Sequence, residues 1–522
     1  MNTIADLAPT LLTFDAFITD WAQARPDVMA MIEDGRMLTF AGLETRTAQV
    51  VAALQSAGLR KGDRIAWLGK NSDLYFTLLY GAARLGVVMV PVGWRLSPVE
   101  VAYIVNDTEA RLLFAGPGFD AAAQALGADL PKVERIFGAD EARGWIDGAM
   151  PVAFTPAGPD DAVLQLYTSG TTGNPKGAVL SNFNLFGLRV PAERAALPWS
   201  VWDDDEVALV AMPCAHIGGT GLGVMALAAG VPAYVLAEFT PDGVLDAVEK
   251  GGVTRFFMVP AALQMVINHP RAATTDFSRL KYIIYGAAPI PLELLRECIR
   301  VFGAEFIQAY GMTETTGTIV SLWPEDHDPN GNVRMRAAGR ALPGVELKIV
   351  DEEGNALATG EVGELMTRSS NNMLGYWKLP EATAKTVTAD GWIRTGDAAY
   401  LDADGYLFIH DRVKDMIITG GENVYPAEVE SAIYGHPAIA EVAVIGVPDD
   451  KWGEAVKAVC VAKPGMTIDE ADVIAWTRAK IAAFKVPKSI DIIAALPRNA
   501  SGKILRKDLR APYWAGRERQ VN

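Results

Sequence analysis

One short stretch, YTSGTTGNPKG from Tyr167 to Gly177, combines glycines and hydroxyl side chains with a single lysine, Lys176. Glycines let backbone N–H groups approach phosphate oxygens, hydroxyls add donors, and the ammonium offsets negative charge. The stretch is not a Walker loop, because Lys176 lies between Pro175 and Gly177. The apolar runs AVLQLY and GAVLS on either side predict strands rather than a helix N-terminus. It is either a phosphate-binding loop of another type or a flexible turn.

Three further stretches carry residues whose types suit nucleotide chemistry. In QAYGMTETTG, Glu314 sits among hydroxyls and glycines, where a carboxylate can hold Mg²⁺ bound to phosphates or simply begin a helix. In WIRTGDAAY, Asp397 follows a glycine, and the pattern predicts a turn in which the carboxylate binds ribose hydroxyls or caps the turn. In PRNASGKILRKDL, Lys503 follows a Gly-Ser turn; taken alone, such a lysine is usually only an exposed side chain.

Length and composition limit the functional classes. A chain of 522 residues with 50% apolar content is too long for one hydrophobic core and predicts two or more domains. The formal charge of −16 argues against nucleic-acid binding, which requires a basic face. Cys214, Cys298 and Cys460 lack metal-ligand spacing and are expected to be buried thiols in a reducing compartment. The start MNTIADLAPTLLTFDAF has no basic segment, so we expect no signal peptide and a cytoplasmic protein.

The segment 207–237 contains no Asp, Glu, Lys or Arg and is long enough to span a bilayer. Pro213, Pro232, His216 and several glycines interrupt it. We therefore expect a buried strand, a glycine-rich pocket wall and a helix, and no membrane span.

The order of elements predicts an α/β protein. Stretches such as RIAWLG, SDLYFTLLYGAARLG and VVMVPVG alternate strand, helix and strand, as in parallel-type sheets covered by helices. Near residue 340 the pattern changes to short strands with turns, which predicts a β-rich subdomain, and residues after 416 predict a compact α+β domain. The expected organisation is a large N-terminal domain over 1–411, a hinge over 412–416 and a small mobile C-terminal domain over 417–522.

The C-terminal domain is nearly neutral, whereas the rest of the chain carries the net negative charge. Between Arg478 and Arg510, basic residues far outnumber the two acidic residues Asp491 and Asp508. This run is either a solvated basic face or a source of cations for a polyanionic substrate held by the acidic body.

Taken together and in chain order, several stretches resemble the motifs of the acyl-adenylate-forming superfamily of acyl-CoA synthetases, luciferases and peptide-synthetase adenylation domains. The resemblance covers nearly the whole chain and fits the acyl-CoA synthetase branch. It implies that a carboxylate attacks the α-phosphate of ATP, giving acyl-AMP and pyrophosphate, and that the thiol of coenzyme A then displaces AMP. The stretches are YTSGTTGNPKG, IIYGAAPIP, QAYGMTET, LGYWKLPEAT, DGWIRTGD, HDRVKDMIITGGENVYPAEVE and NASGKILRKDL.

The resemblance also implies roles for individual residues. Lys503 is expected to bridge the carboxylate and the α-phosphate, Thr313 to lie near that phosphate, and Glu314 to bind Mg²⁺. The residues expected to hold pyrophosphate oxygens are Thr168, Ser169, Gly170, Thr171, Thr172 and Lys176. The other expected nucleotide contacts are Gly286, Ala287, Ala288 and Tyr310 at the adenine, Gln308, Gly311 and Met312 beside them, and Asp397 and Arg412 at the ribose.

In this family the small domain rotates between the two steps. By resemblance, Lys414 lies at the hinge, and the loop containing Gly421 is presented to the pantetheine after Lys503 withdraws. A rotation of this kind lets one site serve two reactions.

The stretch MPCAHIGGTGLGVMALAAG corresponds to the family's acyl-pocket segment. His216 is expected near the reacting carboxylate, with a merely packed histidine as the alternative. Gly218, Gly219, Gly221 and Gly223 remove side chains and predict an open wall. No Asp follows His216 to pair with an amino group, which disfavours an amino-acid substrate. We expect a medium- to long-chain fatty acid, or alternatively an aryl-alkenoate or a steroid side-chain acid.

Other classes stay open at this point. An adenylate oxidase of the luciferase type shares every motif, and a catalytically inactive member would act as a ligand sensor. A carrier protein could replace coenzyme A as acceptor, although no long insertion follows the hinge. Peripheral membrane contact and a homodimer are undetermined expectations.

Overall fold

The computed structural model describes residues 12–168, 174–288, 290–328, 330–412, 415–420, 422–498 and 504–515, without the side chains of 411 and 412. The helices are α1 (Phe14–Ala24), α2 (Phe40–Ser56), α3 (Asp73–Leu85), α4 (Pro98–Thr108), α5 (Asp120–Ala125), α6 (Ala139–Asp147), α7 (Asn182–Phe186), α8 (Arg189–Arg194), α9 (Ile217–Ala229), α10 (Pro241–Gly251), α11 (Pro260–Ile267), α12 (Leu292–Phe302), α13 (Pro380–Thr386), α14 (Pro426–Ile433), α15 (Glu470–Arg478) and α16 (Arg506–Trp514).

The strands are β1 (Met29–Glu33), β2 (Arg36–Thr39), β3 (Arg64–Leu68), β4 (Val88–Val92), β5 (Leu112–Ala115), β6 (Arg135–Phe137), β7 (Ala162–Thr168), β8 (Lys176–Ser181), β9 (Ala208–Val210), β10 (Ala233–Val235), β11 (Arg255–Met258), β12 (Tyr282–Gly286), β13 (Glu305–Met312), β14 (Gly317–Leu322), β15 (Arg340–Ala341), β16 (Glu346–Val350), β17 (Gly363–Arg368), β18 (Gly375–Tyr376), β19 (Ile393–Leu401), β20 (Leu407–Arg412), β21 (Ile417–Thr419), β22 (Glu422–Val424), β23 (Ile439–Asp449), β24 (Gly453–Ala462) and β25 (Ser489–Ile492).

Two large sheets form the body of the protein. One has nine strands in the order β15-β14-β13-β12-β11-β9-β10-β1-β2, and the other has seven in the order β18-β8-β7-β4-β3-β5-β6. Their inner strands are parallel; the edges are antiparallel except at β6, which pairs with β5 in parallel. The predicted strand–helix–strand units are confirmed, because β3, α3 and β4 coincide with the stretches RIAWLG, SDLYFTLLYGAARLG and VVMVPVG. The fold is therefore α/β with mixed sheets.

One apolar core joins both sheets through helices α1, α2, α3 and α9. Helix α3 is buried at every residue from Leu74 to Leu85, which explains why its sequence is apolar on all faces. Ser72 caps its N-terminus, and Gly86 ends it with a φ of 76°. Its burial holds the two sheets at a fixed separation, and the functional cavity lies beside them.

The uncharged segment 207–237 folds as β9, α9 and β10, as expected from its prolines and glycines. Strands β9 and β10 are parallel neighbours in the nine-stranded sheet. No helix within the described ranges is long and apolar enough to cross a membrane.

The short strands predicted after residue 340 and the α+β elements predicted after residue 416 are also present. Strands β16, β17, β19 and β20 form an antiparallel sheet, and β21 to β25 form a mixed five-stranded sheet with α14 and α15. Helix α15 begins at Glu470, is capped by Asp469 and ends at Arg478. The hinge and the exact domain bounds stay predictions, because residues 413 and 414 lie outside the description.

The basic residues between Arg478 and Arg510 do not form only a solvated face. Several of them form ion pairs with acidic residues of the hinge and the C-terminal domain, and three of these basic residues, all on α16, also line the large cavity. The ion pairs are Lys485–Glu428, Arg498–Glu441, Arg506–Glu430 and Arg510–Asp415, and the cavity-lining residues are Arg506, Lys507 and Arg510.

Candidate functional site

A cavity of about 1320 Å³ lies between the two large sheets and α16. It contacts predicted phosphate-binding residues at one part of its wall and the glycine-rich start of α9 at another. The predicted site residues that line it are Thr168, Lys176, His216, Ala287, Gly311, Met312, Thr313 and Glu314. The predicted residues that do not line it are Gly286, Ala288, Gln308, Tyr310 and Asp397.

The end of the cavity that is predicted to bind phosphate, called the phosphate end below, is built on the β7–β8 hairpin. These strands pair antiparallel up to Thr168 and Lys176, so both ends of the glycine-rich stretch meet at one edge of the sheet. The predicted strands on either side of the stretch are confirmed. Strand β18 then adds to β8, with Tyr376 opposite Ala178, and brings the tyrosine ring beneath Lys176. The Lys176 ammonium lies 4.8 Å from the centre of that ring.

Tyr376 also connects this cation to the acidic residue of the site. Its hydroxyl donates a 2.6 Å hydrogen bond to Oε1 of Glu314, whose side chain is buried. The backbone around Glu314 is held as well, because Met373 N–H donates to its carbonyl and the Thr316 hydroxyl donates to the Asn371 carbonyl. The Lys176 ammonium therefore lies over the ring of Tyr376, and the Glu314 carboxylate is held by its hydroxyl.

The donor set around Glu314 fits Mg²⁺ bound mainly by substrate oxygens. Within the described ranges no cluster of three or more His, Cys, Asp and Glu side chains could hold a metal on its own. Mg²⁺ usually takes one or two protein carboxylates and fills its other positions with phosphates and water. Glu314 supplies one buried carboxylate that faces the cavity, which is sufficient for that mode.

The residues predicted to contact the nucleoside lie on or next to β12, β13, β19 and β20. The Tyr310 hydroxyl donates a 2.5 Å hydrogen bond to Oδ2 of Asp397, so two predicted contacts from different sheets are joined. Asp397 is also the register partner of Arg412 on β20. The expectation that Asp397 lies in a turn is wrong: it lies inside β19, and the backbone freedom is used one residue earlier, at Gly396 with a φ of 71°.

Small residues at the ends of β12 and β13 allow close packing there. A Cβ at Gly286 would lie 2.0 Å from the Ala309 carbonyl oxygen, so only glycine fits. Ala287 follows with a φ of 64°, a left-handed conformation that is unfavourable for alanine. Because Ala287 lines the cavity, this strained turn exposes backbone where the sequence predicts adenine.

Gln308 is placed beneath this wall rather than in it. Its Oε1 accepts a 3.3 Å hydrogen bond from the Tyr285 hydroxyl, which lies 3.1 Å from Nε2 of His327. Nδ1 of His327 donates to the Trp323 carbonyl at 2.8 Å. Gln308 thus belongs to a buried polar network behind β13.

His216 lies at the N-terminus of α9 and lines the cavity. Asn71 fixes the preceding turn, since its Nδ2 donates to the Met212 carbonyl and its Oδ1 accepts from the Cys214 N–H. Burial, and secondarily the charge of Arg95, lower the pKa of His216 to about 4. The imidazole is therefore neutral at physiological pH.

Gly218, Gly219 and Gly221 line the cavity, but three of the four glycines of α9 have no room for a side chain, so the wall is less open there than expected. The missing Cβ of Gly219 would lie 2.3 Å from the Met212 carbonyl oxygen, and that of Gly223 would lie 2.4 Å from the Phe76 ring. A Cβ at Gly218 would lie 2.7 Å from Cε1 of Phe257. Only Gly221 has room for a side chain, its nearest neighbour being Ile217 at 3.7 Å.

Several predicted residues cannot be located. Ser169, Gly170, Thr171, Thr172, Lys414, Gly421 and Lys503, and the side chain of Arg412, lie outside the described residues, and their roles stay predictions.

Sequence reasoning missed two features of the cavity. Tyr376 lies in the motif LGYWKLPEAT but is given no role by the sequence, because no local pattern shows that it contacts Lys176 and Glu314. Arg189 and the tryptophans Trp199 and Trp202 also line the cavity, in a segment where no motif was recognised. The aromatic content of LPWSVW was the available signal.

Comparisons with known proteins agree with this geometry. The chain matches the AMP-binding enzyme family over residues 18–377 and the AMP-binding enzyme C-terminal domain over 428–503. It is 41% identical to the fatty acid–[acyl-carrier-protein] ligase ScoC of Streptomyces coeruleorubidus, over 98% of this chain and 99% of that protein. It is 37% identical to a feruloyl-CoA synthase of Amycolatopsis sp, over 94% and 97% of the two chains.

The fold has close structural relatives too. The ATP-bound crystal structure of MatB from Rhodopseudomonas palustris superposes with a TM-score of 0.86 at 32% identity, covering 96% of this chain and 99% of that one. The chain therefore belongs to the AMP-binding enzyme family, the superfamily of AMP-forming acyl-CoA synthetases that its motifs resemble.

Proposed function

We propose that the protein joins a largely apolar carboxylic acid to coenzyme A in two steps, through an acyl-adenylate. The observation that carries the proposal is the single cavity that connects the Lys176–Tyr376–Glu314 cluster to the wall around His216. The phosphates of a nucleoside triphosphate require a cation and a carboxylate that can hold Mg²⁺, whereas an acyl chain requires an apolar wall. Both are present in one continuous space.

In the first step a carboxylate oxygen of the acid attacks the α-phosphorus of ATP, and the bond to the β-phosphate bridging oxygen breaks. Lys176 offsets charge on the departing pyrophosphate, and Thr313 positions the α-phosphate. Mg²⁺, when bound at Glu314, neutralises phosphate charge. Neutral His216 orients the acid without adding a second charge. Such reactions are accelerated mainly by positioning and charge stabilisation.

In the second step the thiol of coenzyme A loses its proton and attacks the acyl carbon, and the bond to the AMP oxygen breaks. We assign Gly421 to the loop that receives the pantetheine and Lys414 to the hinge that exposes it. One relative is named as a ligase for an acyl-carrier protein, so a carrier protein is the competing acceptor.

The preferred acid is proposed to be a medium- to long-chain fatty acid. Support comes from the apolar wall of Phe17, Leu185, Leu188, Leu222 and Met225 and from the fatty-acid name of one relative. An aryl-alkenoate is the second candidate, favoured by the tryptophans of the wall and by the feruloyl-CoA synthase relative.

The test is mass spectrometry of products formed from Mg-ATP and a pool of fatty, aryl-propenoic and steroid acids. We expect adenylates without a thiol and CoA thioesters with coenzyme A. Glu314→Gln should lower pyrophosphate release by about 100-fold or more, because a charge-stabilising group is lost. The exposed Glu325→Gln is the matched control. Adenylates that pass only to a phosphopantetheinyl carrier protein would overturn the acceptor assignment.

We also propose a cytoplasmic location, supported by Cys214, Cys298 and Cys460, which are free and buried. A homodimer stays a prediction, to be measured by light scattering of the purified protein.

A further inference from the structure

We propose that Arg189 binds an oxygen acceptor at the far end of the acid substrate, so that among medium- to long-chain acids the enzyme prefers those that carry a carboxylate or carbonyl group remote from the reacting carboxylate. The inference rests on the proposed function, because it names a substrate class for the same cavity.

Arg189 is a half-buried cation that lines the cavity at the start of α8. Its Nε is buried without a hydrogen-bond partner in the part of the chain that the structure describes. Glu193 and Arg255 influence it only through their charges, and no described carboxylate lies within ion-pair distance. The guanidinium therefore has unused donors beside an open space.

The neighbouring Arg255 shows what a purely structural arginine looks like in this region. Its Nε and one terminal nitrogen each donate a 2.9 Å hydrogen bond to Glu206, and the other terminal nitrogen donates to the Trp199 carbonyl at 2.7 Å. The Trp202 ring covers it at 4.0 Å. Arg255 is fully satisfied within the protein, whereas Arg189 is not.

The surroundings make an unpaired cation costly. The indole N–H groups of Trp199 and Trp202 also lack partners among the described residues, so this wall holds three N–H donors without an acceptor, Arg189 Nε included. Burial lowers the pKa of Arg189 to about 10, which leaves it charged at neutral pH. A partly buried charge without a partner is less well solvated than an exposed one, and a ligand oxygen would offset that cost.

Several carboxylates also line the cavity, among them Asp20, Glu193 and Asp204, and none of these three replaces the missing acceptor. Asp204 is paired with Arg25 at 2.9 Å. Asp20 lies on α1, and Glu193, one turn along α8, acts on Arg189 only through its charge. An anionic or carbonyl oxygen from the ligand is the complement that Arg189 lacks, and a carboxylate is its strongest form because the hydrogen bond is charge-assisted at both ends.

The test compares straight-chain acids of several lengths with their ω-oxo and ω-carboxy analogues, using pyrophosphate release by the complete enzyme. We expect wild-type kcat/KM to favour the distal-oxygen acids by about 10-fold or more at the best length, mainly through KM. Arg189→Met should abolish that ratio, and Arg189→Lys should retain part of it. Arg194→Met, an exposed arginine of the same helix outside the cavity wall, should leave the ratio unchanged.

Two results would overturn the inference while leaving the proposed function intact. One is a wild-type enzyme that adenylates plain fatty acids as well as every distal-oxygen acid, a comparison that needs no variant. The other is an Arg189→Met enzyme that loses activity equally on both series, which is a structural effect. If wild type releases no pyrophosphate with any acid, the proposed function fails; quenching of tryptophan fluorescence by ω-carboxy acids, lost in Arg189→Met, still tests the binding site separately.

Discussion

At the scale of single residues, Tyr376 organises the phosphate end of the cavity. Its ring lies under the Lys176 ammonium and its hydroxyl holds the Glu314 carboxylate. A buried carboxylate with one oxygen fixed presents its other oxygen in a defined direction. The tyrosine therefore acts as a positioning residue for the proposed Mg²⁺ ligand.

Removing only that hydroxyl tests this role. Tyr376→Phe keeps the ring under Lys176 but leaves Glu314 without its donor, and hydrogen bonds to charged groups are worth about 1.5–3 kcal/mol. We expect the apparent KM for Mg-ATP to rise by about 10-fold, with a steeper dependence on Mg²⁺ concentration. Tyr234→Phe, on β10 and outside the cavity wall, is the control. Unchanged Mg²⁺ dependence in Tyr376→Phe would contradict the positioning role.

His327 links a single residue to the pH dependence of stability. Burial lowers its pKa to about 4, whereas an unfolded histidine titrates near about 6.5. As the pH falls below 6.5, the unfolded chain gains a proton that the folded chain refuses. This group therefore lowers the free energy of unfolding by about 1.4 kcal/mol per pH unit until the pH nears 4.

The matching experiment is denaturant unfolding of wild type and His327→Gln between pH 7.5 and 5. The variant should be less stable at pH 7.5, because His327 accepts or donates at both ring nitrogens. That difference should shrink by about 2 kcal/mol by pH 5. A difference that stays constant with pH would show that the imidazole is not kept neutral in the folded state.

At the scale of elements, the glycines of α9 differ in whether the helix packing requires them: Gly219 is closely packed, whereas Gly221 has room for a side chain. Gly219→Ala places a methyl group against two carbonyl oxygens, at 2.3 and 2.4 Å, and should destabilise the protein by about 2 kcal/mol. Gly221→Ala has ordinary contact at 3.7 Å and should stabilise it by up to about 1 kcal/mol, because alanine favours helix. Thermal unfolding of both variants measures the contrast. Equal effects would mean that the helix shifts freely on β9.

At the scale of the whole molecule, the sequence predicted whatever depends on local pattern. The strands around the glycine-rich stretch, the β3–α3–β4 unit and the α+β C-terminal part are confirmed because period and turn residues specify them. Which side chains meet across the cavity could not be predicted. Tyr376 reaches Glu314, and α8 reaches the wall near α9, only through sheet order and packing, which leave no local signature.

The two proposed reactions require two arrangements of the whole chain. Ile504 and Leu505 line the cavity, and Arg510 pairs at 2.8 Å with Asp415, which lies within the predicted hinge. Lys503→Ala should lower acyl-AMP formation by about 100-fold but change thiolation of supplied acyl-AMP only a few-fold, since only the first step uses its charge.

Lys414→Pro should give the opposite pattern, because a proline restricts the backbone rotation that the second step needs. Rapid-quench measurement of each half-reaction separates the two variants, with the exposed Lys488→Ala as control. Equal losses in both half-reactions for both variants would exclude a rotating domain and leave a single rigid site. A clean exchange of defects would instead establish that one cavity serves two reactions by changing which segment of the small domain faces it.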